Sequence, residues 1–237
     1  MNFNSPIKAK KLILVVGATG GTGRLVVQRA LEMQMQVRVF VRNVTKAQEM
    51  FDPTRVQIQA GALDDVPAMA EACDDVDAVV TTLASFEPPH NQMSTAMTSI
   101  VEAAKQNQNK DKEMKKLRVF HYGVCGFQDP DRDFRIRETV FSALAPFLHL
   151  KFGNAVGDHR KTLRILEESS SVLNATVFQT PAIDYDKPLG TYHAGSPEEV
   201  PGMKVWNKIG GLDAADACLQ RIDQEGPKFL NLKYNLN

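Results

Sequence analysis

The chain has 237 residues with 28 basic and 28 acidic side chains, 43 % hydrophobic residues, and cysteines only at 73, 125 and 218. That length accommodates one large α/β domain and is short for two, while balanced charge argues against nucleic acid or an anionic membrane surface as partner. No apolar run approaches a membrane span, Met1 to Lys11 has no signal-like apolar core, and Cys73, Cys125 and Cys218 form no Cys-x-x-Cys pair, so free thiols in a cytoplasmic setting are expected.

Leu12-Ile13-Leu14-Val15-Val16 is an apolar run of the kind that forms a central parallel strand covered on both faces. Gly17, Gly20, Gly21 and Gly23 follow, and Leu25, Val26, Arg29 and Ala30 then recur at helical spacing, which places the glycines at a strand-to-helix turn. The first N–H groups of such a helix have no internal partner and carry the positive end of its dipole, a natural seat for phosphate. Missing side chains at Gly17, Gly20 and Gly23 let the loop turn, the backbone approach a pyrophosphate and the helix pack on the strand. The spacing Gly-x-x-Gly-x-x-Gly departs from the commonest dinucleotide fingerprint, yet the strand before and the helix and strand after supply the frame such a motif needs. A ligand-free βα turn is the alternative, and no kinase-type phosphate loop occurs.

Val37 to Arg42 alternates as a second strand. An acid at its end would hold the ribose of NAD, but no Asp or Glu lies between Glu32 and Glu49. Arg42 stands there instead, with Lys46 one helical turn on, two cations where an adenosine 2′-phosphate would lie. NADP(H) is therefore the expected cofactor; solvated surface charges are the alternative.

Thr45-Lys46-Ala47-Gln48 has the form of a capping box, predicting a short helix from about Thr45. Val56 to Gly61 reads as a third strand, Val66 to Cys73 as a helix with Pro67 in its first turn, and Asp77 to Ser85 as a fourth strand ending in small residues. A helix over about Asn91 to Gln106 carries Met93, Met97, Ile100 and Val101 on one face, a core stripe, and Lys105 to Lys116 is a polar connection. Leu117 to Tyr122 is a fifth strand. Gly126 to Gly157 interleaves Phe127, Phe134, Phe141, Phe147 and Phe152 with polar residues, either a cover for a flat substrate or a satellite helix.

Asp158 to Ser169 is an amphipathic helix with Leu163, Leu166 and the aliphatic part of Lys161 inward. Val172 to Phe178 leads into a sixth strand ending at Gln179-Thr180-Pro181-Ala182, and Tyr185 to Pro201 is a long loop suited to substrate contacts. A strand at Lys204 to Ile209, a helix from Asp213 to Ile222 and a strand at Lys228 to Leu232 complete the chain. Alternating strands and helices predict a single α/β domain over 1–237, a doubly wound parallel sheet of Rossmann type, with substrate-side insertions at about 126–157 and 184–203. No set of His, Cys or Asp has metal-ligand spacing, so no metal is expected.

Gly17 to Gly23 after the first strand, Val41-Arg42-Asn43 after the second, Asp158-His159, and Asp213-Ala-Ala-Asp216 near the end resemble the atypical short-chain dehydrogenases, most of all the NmrA-like and biliverdin reductase B (flavin reductase) branch. The resemblance covers nearly the whole chain and is strongest over residues 10 to 45. It implies that Thr19, Gly20 and Thr22 meet the phosphates, with Gly21 beside them, and that Arg42 and Lys46 meet the 2′-phosphate. It further implies that Ala62 and Leu63 lie at the adenine, Leu83 and Ala84 along the adenosine–nicotinamide bridge, and Tyr122, Gly123, Pro181, Ala182 and Ile183 beside the nicotinamide. Ala62 replaces an Asp frequent in the family, and Gly123-Val124 and Pro181-Ala182 replace the Ser and His of the flavin-reductase branch.

Typical short-chain dehydrogenases donate a proton from a Tyr assisted by a Lys four residues on, and none of Tyr122, Tyr185, Tyr192 or Tyr234 has one. Carbonyl or alcohol chemistry is thereby disfavoured, whereas flavins, quinones and tetrapyrroles can take their proton from water. His121, Tyr122, Cys125 and His159 remain as proton carriers near the expected nicotinamide, Tyr122 and His159 being the catalytic candidates, with a structural role for His159 as a helix-start residue the alternative. Two functions follow: an NADPH-dependent reductase of a planar small-molecule acceptor, or a non-catalytic NADP(H)-sensing regulator with a protein partner, as in the NmrA-like branch. Under either, Arg42→Ala should weaken NADP(H) far more than NAD(H) in binding titrations, and equal losses would refute the phosphate clamp.

Overall fold

The structure is a computed structural model, and it describes residues 10–84, 88–110, 115–124, 145–180, 182–200, 208–224 and 229–234. Leu12–Val16 forms β1 with every side chain buried, as an all-apolar run requires when both sheet faces are covered. Gly21–Glu32 is α1, Gln36–Val41 is β2, Val44–Met50 is α2, Val56–Ala60 is β3, Val66–Ala72 is α3 and Ala78–Thr81 is β4. Gln92–Lys110 is α4, Leu117–Val124 is β5, Ala145–Glu168 is α5 and Leu173–Thr180 is β6. Ala182–Asp184 (β7), Tyr192–Gly195 (β8), Lys208–Gly210 (β9), Gly211–Leu219 (α6) and Phe229–Tyr234 (β10) follow.

The main sheet has the order β3-β2-β1-β4-β5-β6-β10-β8, parallel throughout except for the antiparallel edge pair β10–β8. Order reverses between β1 and β4, and in such sheets the crevice at the carboxyl ends of those two strands takes the ligand. Period-two alternation splits the core: Ile13 and Val15 face one layer with Val26, Val27 and Ala214, while Leu14 and Val16 face another with Met69, Met97, Ile100 and Leu163. The expected Met93, Met97, Ile100 and Val101 stripe is buried, the last three within that layer.

Several elements differ from their local signals, each for a tertiary reason. Asn43, rather than Thr45, caps α2, its side chain accepting from the Lys46 amide. Strand β4 stops at Thr81 because Thr82 turns onto the glycine loop, its hydroxyl donating to the Val16 and Gly17 carbonyls at 3.3 and 3.2 Å. The polar stretch after Lys105 is helical to Lys110, anchored where Asn107 Nδ2 donates to the Ala70 carbonyl on α3 at 3.2 Å. Helix α5 begins at Ala145, well before Asp158, so Phe147 and Phe152 of the aromatic stretch are helical while Phe127, Phe134 and Phe141 lie outside the described residues. Its phase leaves Lys161 exposed and turns Asp158, His159, Thr162, Leu163 and Leu166 inward. The loop from Tyr185 contains β8, and of the strand expected at 204–209 only Lys208–Gly210 is described, paired with β7 in a separate two-stranded sheet.

Helix α6 is tied to α1 by Asp216, which accepts from Arg29 Nε and Nη2, each at 2.7 Å, and from Tyr192 Oη at 2.5 Å and Gln220 Nε2 at 2.6 Å. Three elements meet on this one buried carboxylate. Removing it leaves the Arg29 guanidinium, only about one-fifth exposed, with Glu32 at 3.1 Å as its remaining carboxylate, and takes the acceptor from Tyr192 and Gln220. Asp216→Ala should therefore lower the free energy of urea unfolding by about 2–4 kcal/mol, and a change within experimental error would refute this role.

Candidate functional site

The glycine turn is built by contact. Gly17 has φ +91°, a left-handed conformation that disfavours any side chain, and a Cβ there would stand 3.0 Å from Thr82 Oγ1. A Cβ on Gly23 would stand 2.2 Å from the Gly17 carbonyl oxygen, so only glycine lets α1 lie this close to the end of β1. The Gly20 amide donates to the Gly17 carbonyl at 3.1 Å, closing the turn. Gly20 is the N-cap of α1 with extended backbone, it contributes no side-chain cap, and no acid lies in the first turn. The start of α1 thus offers backbone donors and a positive dipole end without an internal anion.

The carboxyl ends of the neighbouring strands carry the other expected cofactor residues. Arg42 and Lys46 are exposed at the end of β2 and in α2, and among the described residues neither pairs with a carboxylate. Ala62 is exposed and Leu63 half-buried after β3; Leu83 is half-buried and Ala84 exposed after β4. Ala182 is exposed and Ile183 half-buried on β7, while Pro181 lies outside the described residues. Gly17, Thr19 and Gly20 follow β1 and Gly21, Thr22 and Gly23 open α1, while Arg42, Ala62, Leu63, Leu83 and Ala84 follow β2, β3 and β4 and Gly123 lies near the end of β5, all toward the carboxyl side of the parallel strands.

Tyr122 corrects the sequence reading. Its ring stacks on Phe178 with centroids 5.5 Å apart, and its hydroxyl donates to the Ala214 carbonyl of α6 at 2.8 Å. Burial pushes the phenol pKa well above its ordinary value of 10.0. Its hydroxyl, through the Ala214 carbonyl, fastens β5 to α6.

His159 is also placed differently, in the interior of α5 instead of at a helix start. Its Nδ1 lies 3.3 Å from His121 Nε2, the rings stacked at 23°, and His121 Nδ1 lies 2.8 Å from Thr81 Oγ1. This buried chain of three polar side chains joins β4, β5 and α5 beneath Gly123, where a Cβ would come within 2.5 Å of His159 Cε1. The missing side chain at Gly123 is therefore what makes room for the His159 ring. Beside it, Asp158 accepts from the Met93 and Ser94 amides at 2.9 and 3.2 Å and from the Ser94 hydroxyl, capping α4 from another helix. Sequence reasoning missed Thr81, Thr82 and this cap, since each acts on a partner far along the chain. Cys125 lies outside the described residues; Cys73 and Cys218 are free, buried thiols, the former pushed up to about 12 by burial. Among the described residues no group of three or more His, Cys, Asp and Glu could hold a metal ion, and no helix is long and apolar enough to cross a membrane.

Burial, with His159 beside it, holds the His121 imidazole well below its ordinary pKa of 6.5. The folded chain keeps His121 neutral while the unfolded chain takes up a proton as pH falls past about 6.5. Because the unfolded state then binds more protons, stability is full above that value and falls on acidification, by up to about 1.4 kcal/mol per pH unit from this group. His121→Gln should make the unfolding free energy fall less steeply than wild type between about pH 6.5 and about pH 5, whereas parallel slopes would refute a neutral buried His121.

The NAD(P)H-binding family model matches residues 17–225. Over 87 residues the chain is 33 % identical to phenylcoumaran benzylic ether reductase PT1 of Pinus taeda, a stretch that is 33 % of this chain and spans only 28 % of that relative's length. Among solved structures, ChuY, an anaerobillin reductase from Escherichia coli O157:H7, is similar at TM-score 0.69 and 17 % identity, covering 96 % of this chain and 99 % of the other. A short-chain dehydrogenase/reductase from Veillonella parvula DSM 2008 in complex with NADP is similar at TM-score 0.66 and 16 % identity, covering 95 % of each chain. These likenesses bear out the Rossmann fold, and the family match, which begins at Gly17 and runs through α6, bears out the sequence resemblance. The chain belongs to the NAD(P)H-binding family.

Proposed function

We propose that the protein is an NADPH-dependent reductase of a planar, conjugated small molecule: a flavin, quinone or tetrapyrrole. The observation that carries this reading is the start of α1, without a side-chain cap and free of acids in its first turn, with Arg42 and Lys46, among the described residues, unpaired by carboxylates at the end of the next strand. A dinucleotide with an extra phosphate fits both features: pyrophosphate on the amides of Gly20 to Thr22, 2′-phosphate between guanidinium and ammonium. Ala62 and Leu63 would flank the adenine, Leu83 and Ala84 the bridge, and Gly123, Pro181, Ala182 and Ile183 the nicotinamide.

Bound NADPH supplies the hydride. The chain binds and orients it, and no Tyr of the sequence has a Lys four residues on to supply a proton; Tyr122 donates to the Ala214 carbonyl, and His121 is held neutral. Acceptors that draw their proton from water suit such a site, which favours conjugated ring systems over isolated carbonyls. The relatives matched include an anaerobillin reductase and a benzylic ether reductase, which favours turnover over a purely regulatory role. The free buried thiols Cys73 and Cys218 support a reducing, cytoplasmic setting, and the single-domain reading over 1–237 with substrate-side insertions at 126–157 and 184–203 goes with this function.

NADPH oxidation followed with FMN, a quinone and biliverdin tests the proposal. Turnover of at least one acceptor, with NADPH preferred over NADH, is expected. Tight NADPH binding with no turnover of any acceptor would sink the reductase reading and leave the NADP(H)-sensing regulator.

A further inference from the structure

Tyr185 follows β7 directly and, at 44 % relative exposure, is among the exposed large hydrophobic side chains of the described residues. Its ring lies on the start of α1: a Cβ added to Gly21 would come within 2.9 Å of two ring carbons. Its hydroxyl stands 3.5 Å from Thr22 Oγ1. The segment that carries it is anchored on both sides. Before it, Ile183 packs against Gly211 at the head of α6, where a Cβ would be 3.3 Å from Ile183 Cγ2. After it, the Gly190 amide donates to Asp213 at 2.7 Å and Tyr192 Oη donates to Asp216 at 2.5 Å. Within the turn, the Asp186 amide donates to Asp184 Oδ1 at 3.3 Å.

A half-exposed ring over a bare glycine gains little by burial, and packing alone does not call for a phenol there. A phenol does add a second hydroxyl beside that of Thr22 at the positive end of an uncapped helix. The two oxygens stand at the outer limit of a hydrogen bond to each other, so little is lost when both turn toward one anionic oxygen, and such charge-assisted bonds are the strong ones.

We propose that Tyr185 contacts the cofactor, its hydroxyl and that of Thr22 donating together to the pyrophosphate while its ring walls the glycine turn from water. The proposal rests on the dinucleotide reading above, and it puts a contact on a loop distant in sequence from the glycine motif. Arg42 and Lys46 select the 2′-phosphate; Tyr185 and Thr22 act on the part common to NADPH and NADH.

The test is a set of binding titrations of NADPH, NADH and adenosine 2′-monophosphate, which lacks the pyrophosphate. Tyr185→Phe should weaken NADPH and NADH alike by about tenfold and leave adenosine 2′-monophosphate unchanged. Tyr185→Ala should weaken both dinucleotides further. Wild-type dinucleotide affinity in Tyr185→Phe and Tyr185→Ala, tighter binding in Tyr185→Ala, or an equal loss for adenosine 2′-monophosphate would each overturn the proposal. A wild-type chain that binds neither dinucleotide overturns the underlying reading itself, and is seen before any variant is made.

Discussion

The contact between the end of β1 and the start of α1 is the constraint on which the rest depends. At Gly23 the helix approaches the Gly17 carbonyl so closely that not even a methyl group fits, and at Gly17 the backbone takes a left-handed turn to allow it. This contact aims the first amides of α1 across the crevice at the β1–β4 switch point and leaves them without a cap of their own. A strand and helix joined by a longer or bulkier loop would keep the fold and lose the site.

The elements around that turn are held by buried polar contacts between residues remote in sequence. Asp216 binds Arg29 of α1 and Tyr192 of β8, Asp158 of α5 caps α4, and Tyr122 of β5 binds the backbone of α6. Each carboxylate has more than one donor, the condition under which a buried charge stabilises instead of costing. Together they position both helical layers over the sheet while the crevice lip, from Gly20 and Gly21 to Ala62 and Ala84, stays exposed and small. That division between a polar-pinned frame and a bare rim suits the binding of a long flat ligand.

The chemistry follows from what the frame has consumed. Tyr122 and Asp158 look like catalytic groups by residue type, and each is committed to backbone partners in the frame. His121 and His159 form a buried chain with Thr81 in which His121 is kept neutral by desolvation and by its neighbour. Under the proposed reductase reading, an acceptor that draws its proton from water suits a frame whose described polar side chains are already engaged in this way.

The sequence by itself determined the strand–glycine–helix unit, the basic residues after β2, the Met stripe of α4 and the alternation that forces a doubly wound sheet. These signals are local: an apolar run, a cluster of missing side chains, a helical period. Tertiary structure decided where Asp158 and Tyr122 spend their polar atoms, that α5 starts at Ala145, that Tyr192–Gly195 becomes an edge strand, and that Tyr185 comes to rest on Gly21. Asp158 and Met93 are 65 positions apart, Tyr122 and Ala214 92, Tyr185 and Thr22 163, and Gly195 pairs with Asn231 36 positions on, so no local window of sequence contains both members. Side-chain type tells what a residue can do, and only the packed neighbour tells which of those things is left for it to do.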